Sequence, residues 1–175
     1  MDVMPRSAAS YETEFGRCAI LWSEAGITGV LLPHRSRARL PAYEAGAAVP
    51  AFVGHAIEGI VAVMAGERRD LHDVALDEQG IDAFDRAVYE ATRAINPGST
   101  RTYGEIAMAI GRPDGARDVG AALSRNPFPI IVPCHRVVAA NGALTGFSAP
   151  GGLATKRRML ELEGAPGYGQ LAMFG

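Results

Sequence analysis

Apolar positions divide the chain near residue 80 into two stretches of different pattern. Residues 15–22 and 26–32 are almost continuously apolar, and the turn-prone Ser23-Glu24-Ala25-Gly26 between them predicts a β-hairpin. Residues 51–65 instead space Phe52, His55, Ile60, Val63 and Met64 for one buried face of a helix. A short strand at 72–76 then completes a small α/β lobe, with the polar run 77–80 as its exit.

Beyond this point helices dominate. Residues 81–95 carry helical periodicity through Phe84, Val88, Ala91 and Ile95, and stop at the breaker Asn96-Pro97-Gly98. Thr102, with Glu105 three residues on, forms a capping-box pattern that starts a helix over 103–110. Residues 111–114 supply a turn, and 116–124 a second short helix carrying Arg117. A short helical pair after a longer helix is the outline of a helix-turn-helix, whose second helix enters a DNA groove. Pro127 and Pro129 then stiffen the approach to an apolar strand at 130–132, which exits into Pro133-Cys134-His135-Arg136. Asn141-Gly142 predicts a tight turn between Val137-Val138 and Leu144. A final helix over 152–163 turns Leu153, Met159, Leu160 and Leu162 inward. The expected class is α+β, with a small α/β domain at 1–80 and a helical domain at 81–175.

Composition narrows the function classes. Of 175 residues 48% are apolar, enough for a folded core. No window approaches the roughly 20 apolar residues of a spanning helix, and residues 1–11 lack the apolar run of a secretory signal. The expectation is a cytoplasmic protein with no membrane association. Two cysteines, Cys18 and Cys134, are too few for a disulfide framework, and Cys18 reads as a buried strand residue without metal-ligand spacing. A net charge of −2 makes no global case for nucleic acid, so any such surface must be local. Arg112, Arg117, Arg125 and Arg136 cluster in the second half, followed by Lys156, Arg157 and Arg158, which read equally well as a solvated face.

Cys134 is the candidate nucleophile. A thiol reacts as thiolate, and its ordinary pKa near 8.5 leaves little thiolate at neutral pH without a base or a positive charge close by. His135 can accept the proton directly or through water, and Glu163, on the closing helix, can orient the imidazole. Neighbouring side chains on a strand point to opposite faces, so adjacency alone does not establish this contact.

The longer string is more specific. Asn126-Pro127 followed by Ile130-Ile131-Val132-Pro133-Cys134-His135-Arg136-Val137-Val138 closely resembles the signature of the O6-alkylguanine-DNA alkyltransferases, also called methylated-DNA-protein-cysteine methyltransferases. Tyr103, Arg117, Gly151-Gly152-Leu153-Ala154, Lys156 and Glu163-Gly164 stand at the family's spacing. The resemblance is strong over 98–164 and rests on element order in the first lobe. It implies a ribonuclease-H-like α/β lobe followed by a winged-helix-like domain containing the helix-turn-helix. It also implies irreversible transfer of an alkyl group from guanine O6 to Cys134, one event per molecule, with no metal and no cofactor. The implied partner is double-stranded DNA carrying O6-alkylguanine, with O4-alkylthymine as a second candidate substrate, bound by a monomer.

The same resemblance assigns roles. Arg117 fills the space left by a flipped nucleotide, Tyr103 presses on its phosphate and offers its hydroxyl to the base, and Asn126 is the hinge between recognition helix and active site. Ala116, Leu123, Arg125 and Arg136 join Tyr103 and Arg117 at the DNA face, although Leu123 by its own pattern reads as core. Val137, Phe147 and Ser148 line the guanine pocket. Three departures stand out: the carboxylate of Asp118 after the finger arginine, Phe147 where the family often has tyrosine, and a longer loop at Ser148-Ala149-Pro150. The alternatives are an alkylguanine-binding protein without transfer, against which Cys134 itself argues, an alkylation-sensing regulator, and a cysteine hydrolase.

Overall fold

The computed structural model describes residues 7–33, 40–45, 48–145 and 152–168. It is a mixed α/β structure with two small sheets and five α-helices among those residues. No helix among them is long and apolar enough to cross a membrane.

The first sheet is antiparallel, in the order β1 (Ala8–Thr13), β2 (Gly16–Ser23), β3 (Gly26–Leu31). The expected hairpin is β2–β3, and β1 is an addition to it. Its sequence Ala-Ala-Ser-Tyr-Glu-Thr has little apolar alternation because Ala9, Ser10 and Tyr11 are all buried. Burial on both faces erases the period-two signal of a half-exposed strand. Cys18 is fully buried on β2, as expected. The strand expected at 72–76 shrinks to a single parallel bridge between Ile27 and Leu76. Here a Cβ on Gly26 would meet the Ala75 carbonyl oxygen at 2.8 Å, so glycine admits the crossing backbone.

Helix α1 (Ala51–Met64) covers the sheet with Val53, Ile57, Ile60 and Met64 buried. Helix α2 (Ala83–Arg93) starts at Asp82, whose side chain accepts from the Asp85 amide. Strand β4 (Arg101–Thr102) leads directly into α3 (Tyr103–Ala109), and α4 (Ala116–Ser124) packs against both α2 and α3. The capping box at the start of α3 is complete: the Glu105 amide donates to Thr102 Oγ1 at 3.0 Å and the Thr102 amide donates to Glu105 Oε1 at 3.2 Å. Replacing Thr102 by alanine should therefore cost about 1 kcal/mol in chemical denaturation, with serine restoring most of it. An unchanged midpoint for the alanine variant would show that tertiary contacts alone hold the helix start.

The expected strand at 130–132 is not a strand. Pro127 and Pro129 lack the amides a ladder needs, and the chain closes a turn instead, with the Val132 amide donating to Phe128 O at 2.8 Å. Val137–Val138 is strand β5, but it does not form a hairpin with Leu144; it pairs in parallel with β4. The Asn141-Gly142 turn is present, closed by the Ala139 and Ala143 backbones, with Gly142 at φ 81°. In helix α5 (Gly152–Leu162), the inward stripe is Lys156, Met159 and Leu160, continued by Glu163. Leu153 and Leu162, expected inward, are exposed. At about 100° per residue, Leu162 lies about a third of a turn from the centre of that stripe.

One buried apolar cluster joins residues on both sides of position 80, running from Ile20, Ile57 and Met64 to Val88, Ile106, Val119, Phe128 and Val137. The Val30 amide of β3 donates to Pro127 O at 2.8 Å, so the first sheet braces the approach to Cys134.

Candidate active site

Cys134 opens a single 3-10 turn, Cys134–Arg136, between the proline-stiffened turn and β5. The Cys134 amide donates to Val132 O at 2.7 Å and the Arg136 amide to Pro133 O at 2.9 Å. Asn126 fastens this segment from the end of α4. Its Nδ2 donates to Val132 O at 3.0 Å and its Oδ1 accepts from the Phe128 amide at 2.9 Å. Ile130, a buried β-branched residue, sits at φ 75°, a conformation that costs on the order of 1–3 kcal/mol and persists only where the surroundings impose it. The Asn126 bonds and the buried Phe128 are those surroundings.

Cys134 is half-buried. Burial pushes its thiol up, opposed by a hydrogen bond with the Asn126 side chain, by the charge of Lys156 and by backbone amides. The resting sulfur is thus a protonated thiol that needs help to ionise.

His135 and Glu163 meet, as expected. His135 Nε2 lies 3.0 Å from Glu163 Oε1, with both side chains buried. The 3-10 turn makes this possible, because it removes the strand geometry under which consecutive side chains diverge. Arg136 completes the arrangement: its Nε donates to Glu163 Oε1 at 2.9 Å, its Nη2 to Glu163 Oε2 at 2.6 Å, and its Nη1 to Ile95 O at 2.8 Å. Burial alone would raise the Glu163 carboxyl, but the hydrogen bonds from Arg136 and His135 outweigh it and hold the group at about 2. Glu163 is therefore an anion at neutral pH, and His135 Nε2 must be the nitrogen bearing hydrogen. Burial pushes His135 down, so the imidazole is neutral and Nδ1 keeps its lone pair. Among the described residues this buried Nδ1 has no hydrogen-bond partner. A neutral imidazole with one nitrogen committed to a carboxylate and the other open is the form a general base requires.

This geometry corrects two expectations about the DNA face. Arg136 is 4% exposed and clamps Glu163, so it does not face nucleic acid. Leu123 is buried in the core, as its own pattern suggested, because its phase on α4 matches Val119 and Ala122. The other members stay near the surface. Arg117 and Asp118 are exposed in the first turn of α4, and Ala116 is half-buried. Arg125 is exposed but held by Asp85, with Nη2 2.9 Å from Oδ1 and Nε 3.2 Å from Oδ2. Val137 is buried on β5. Phe147 and Ser148 lie outside the described residues.

Tyr103 begins α3 immediately after Thr102, which also pairs with Val138. That double use of Thr102 ties the start of α3 to the chain leaving Cys134. The Tyr103 hydroxyl donates to Thr145 O at 3.1 Å, and Lys156 Nζ donates to the same oxygen at 3.0 Å. Lys156 Nζ also stands 5.8 Å from the centre of the Tyr103 ring. Burial pushes the Tyr103 phenol up and keeps it a donor. Thr145 is a site residue that the sequence reading missed, and Lys156 was noted there only for its spacing, without a role. The available signal was the phase of Lys156, which shares the inward stripe of α5 with Met159, Leu160 and Glu163. Among the described residues no three His, Cys, Asp or Glu side chains converge as a metal site would require.

The DNA-binding domain of 6-O-methylguanine DNA methyltransferase matches residues 83–165. The methylated-DNA-protein-cysteine methyltransferase of Mycobacterium tuberculosis is 48% identical over 124 residues, which is 71% of this chain and 72% of the relative. Its counterpart in Methanosarcina acetivorans is 47% identical over 114 residues, 65% of this chain and 70% of the relative. Among solved structures, Mycobacterium tuberculosis OGT in complex with DNA has a TM-score of 0.73 at 37% identity, covering 96% of this chain and 99% of that one. The O6-methylguanine-DNA methyltransferase of Pyrococcus kodakaraensis has a TM-score of 0.67 at 26% identity, covering 90% and 99%.

Proposed function

This chain belongs to the methylated-DNA-protein-cysteine methyltransferase family, and from that membership we propose that it repairs double-stranded DNA by moving an alkyl group from guanine O6 onto Cys134. The observation that carries the reading is the half-buried Cys134 followed by a neutral His135 whose Nε2 is committed to Glu163 and whose Nδ1 is open.

In this reading the damaged nucleotide leaves the duplex, because its O6 is unreachable inside the stack, at a cost of about a few kcal/mol. Arg117, exposed at the start of α4, takes the vacated space and bonds the orphaned base. Tyr103 presses on the phosphate of the flipped nucleotide and offers its hydroxyl to the base. Asn126 links the recognition helix to the reacting segment. The Cys134 proton passes through a water to His135 Nδ1, with Glu163 holding the imidazolium that results. The sulfur then attacks the alkyl carbon, the S–C bond forms, the C–O6 bond breaks and its electron pair leaves on the guanine. A thioether has no route back, so each molecule acts once, and we read the acting species as a monomer.

We read residues 1–80 as a ribonuclease-H-like lobe and 81–175 as a winged-helix-like domain, on the strength of the β1–β3 sheet under α1 and the α3–α4 pair. The test is incubation with a methylated-guanine duplex followed by mass spectrometry. A gain of one methyl on the Cys134 peptide supports transfer. Tight binding with that peptide unmodified would leave an alkylguanine-binding protein instead. Arg117→Ala should slow repair of duplex by about tenfold or more, the share of the flipping cost it offsets, while sparing single-stranded substrate. Equal loss on both substrates would remove Arg117 from flipping.

A further inference from the structure

Lys156 is 1% exposed, and among the described residues it is held by one neutral carbonyl and one aromatic ring, contacts that satisfy a donor without neutralising a charge. A buried cation kept without a counter-anion is costly. Helix α5, which carries Lys156, packs against the Cys134–Arg136 turn, and across that contact the ammonium favours the thiolate and the thiolate the ammonium, against a burial that disfavours either charge alone. His135 starts neutral with its NH on Glu163, and the charge it gains on taking the proton is already held by that carboxylate.

We propose that Lys156 is the counter-cation of the Cys134 thiolate, a positioning residue held at the site by the Thr145 carbonyl and the Tyr103 ring. Division of labour follows. His135 takes the proton, and Lys156 stabilises the charge that the proton leaves behind. As the S–C bond forms and the electron pair departs on the guanine, the ammonium faces negative charge throughout, while the finished thioether offers it none. Thr145 fixes two donors at once, since its carbonyl accepts from both Lys156 and Tyr103 and its hydroxyl donates to Tyr103 Oη at 3.2 Å.

The titratable groups facing the ammonium are Cys134 and His135 from the active-site turn and Tyr103 from α3. Tyr103 stays a phenol and His135 an imidazole at neutral pH, so among the described residues neither supplies the ammonium with a counter-charge. On α5, Arg157 and Arg158 are exposed, and Glu163 is taken by Arg136 and His135. Burial brings Lys156 down to about 8, so its own charge begins to fall just above neutrality.

The test uses the whole protein without DNA. The rate of Cys134 alkylation by iodoacetamide against pH reads the thiol directly. Lys156→Met should move the profile up by about one pH unit, and methyl transfer at neutral pH should slow about tenfold. Lys156→Gln keeps a donor for Thr145 O but no charge, and should shift the profile equally. An unchanged profile in either variant, with melting as in the wild type, overturns the proposal. In the wild type, the Lys156 pKa read by NMR should fall once Cys134 is capped, and a constant value also overturns it. The transfer step rests on the alkyltransferase reading, whereas both thiol and NMR measurements do not. A wild type that titrates as described yet takes no methyl from DNA would refute that reading and leave the ion pair standing.

Discussion

Cys134→Ala should transfer no methyl group at all while binding methylated duplex within a few-fold of the wild type. The change removes one sulfur from a half-buried position and with it one contact to the Asn126 side chain, while the backbone bond to Val132 O and the Asn126 bonds to Val132 O and the Phe128 amide remain. The stability cost should be about 1 kcal/mol, typical of a small truncation. Cys18 cannot substitute, being fully buried on β2. Intact-mass measurement after incubation with methylated duplex, beside a binding titration, checks both halves. A methyl gain in this variant would move the acceptor elsewhere and refute the assignment.

Glu163→Gln should lower single-turnover transfer on the order of 10²-fold and destabilise the protein by about 3 kcal/mol or more. The rate effect follows from the tautomer. A carboxylate can only accept, so it holds hydrogen on His135 Nε2 and leaves Nδ1 basic, whereas an amide can donate and stabilise the wrong form. The stability effect follows from Arg136, which would keep its buried charge with the counter-anion gone. The same pairing gives a pH signature. A carboxyl held at about 2 against an ordinary 4.5 contributes about 3 kcal/mol above pH 5, lost as pH falls through 2. Urea denaturation at pH 7 and pH 3 should therefore separate wild type from variant strongly at the first and weakly at the second. Transfer at the wild-type rate would remove Glu163 from the proton path, and an unchanged midpoint would deny its role in holding Arg136.

Much of the frame was legible because its signals are local. The Thr102 capping box, the helices at 103–110 and 116–124, the β2–β3 hairpin and the Asn141-Gly142 turn each depend on residues within a few positions of one another. The failures share a cause as well. Strand β1 was hidden because burial on both faces removes alternation, and the strand expected at 130–132 gave way to a turn because two prolines cannot join a ladder. The parallel β4–β5 pair joins residues 36 positions apart, Arg101 to Val137 and Thr102 to Val138, and no neighbouring pattern encodes it.

The chemistry divides along the same line. Residue order was enough to nominate Cys134, His135 and Glu163 as a candidate relay and, through the family resemblance of the long string around Cys134, Arg117 as a candidate finger. What a charged side chain faces was open until the chain folded. Arg136 was expected at the DNA face and turned inward to hold Glu163, Arg125 was claimed by Asp85, and Lys156, which read equally well on a solvated face, is buried against Thr145 and Tyr103. A cation's long side chain can serve water, a carboxylate, a carbonyl or a phosphate with equal ease. Which of these it meets depends on surfaces brought together from distant parts of the chain, and that information exists only in three dimensions.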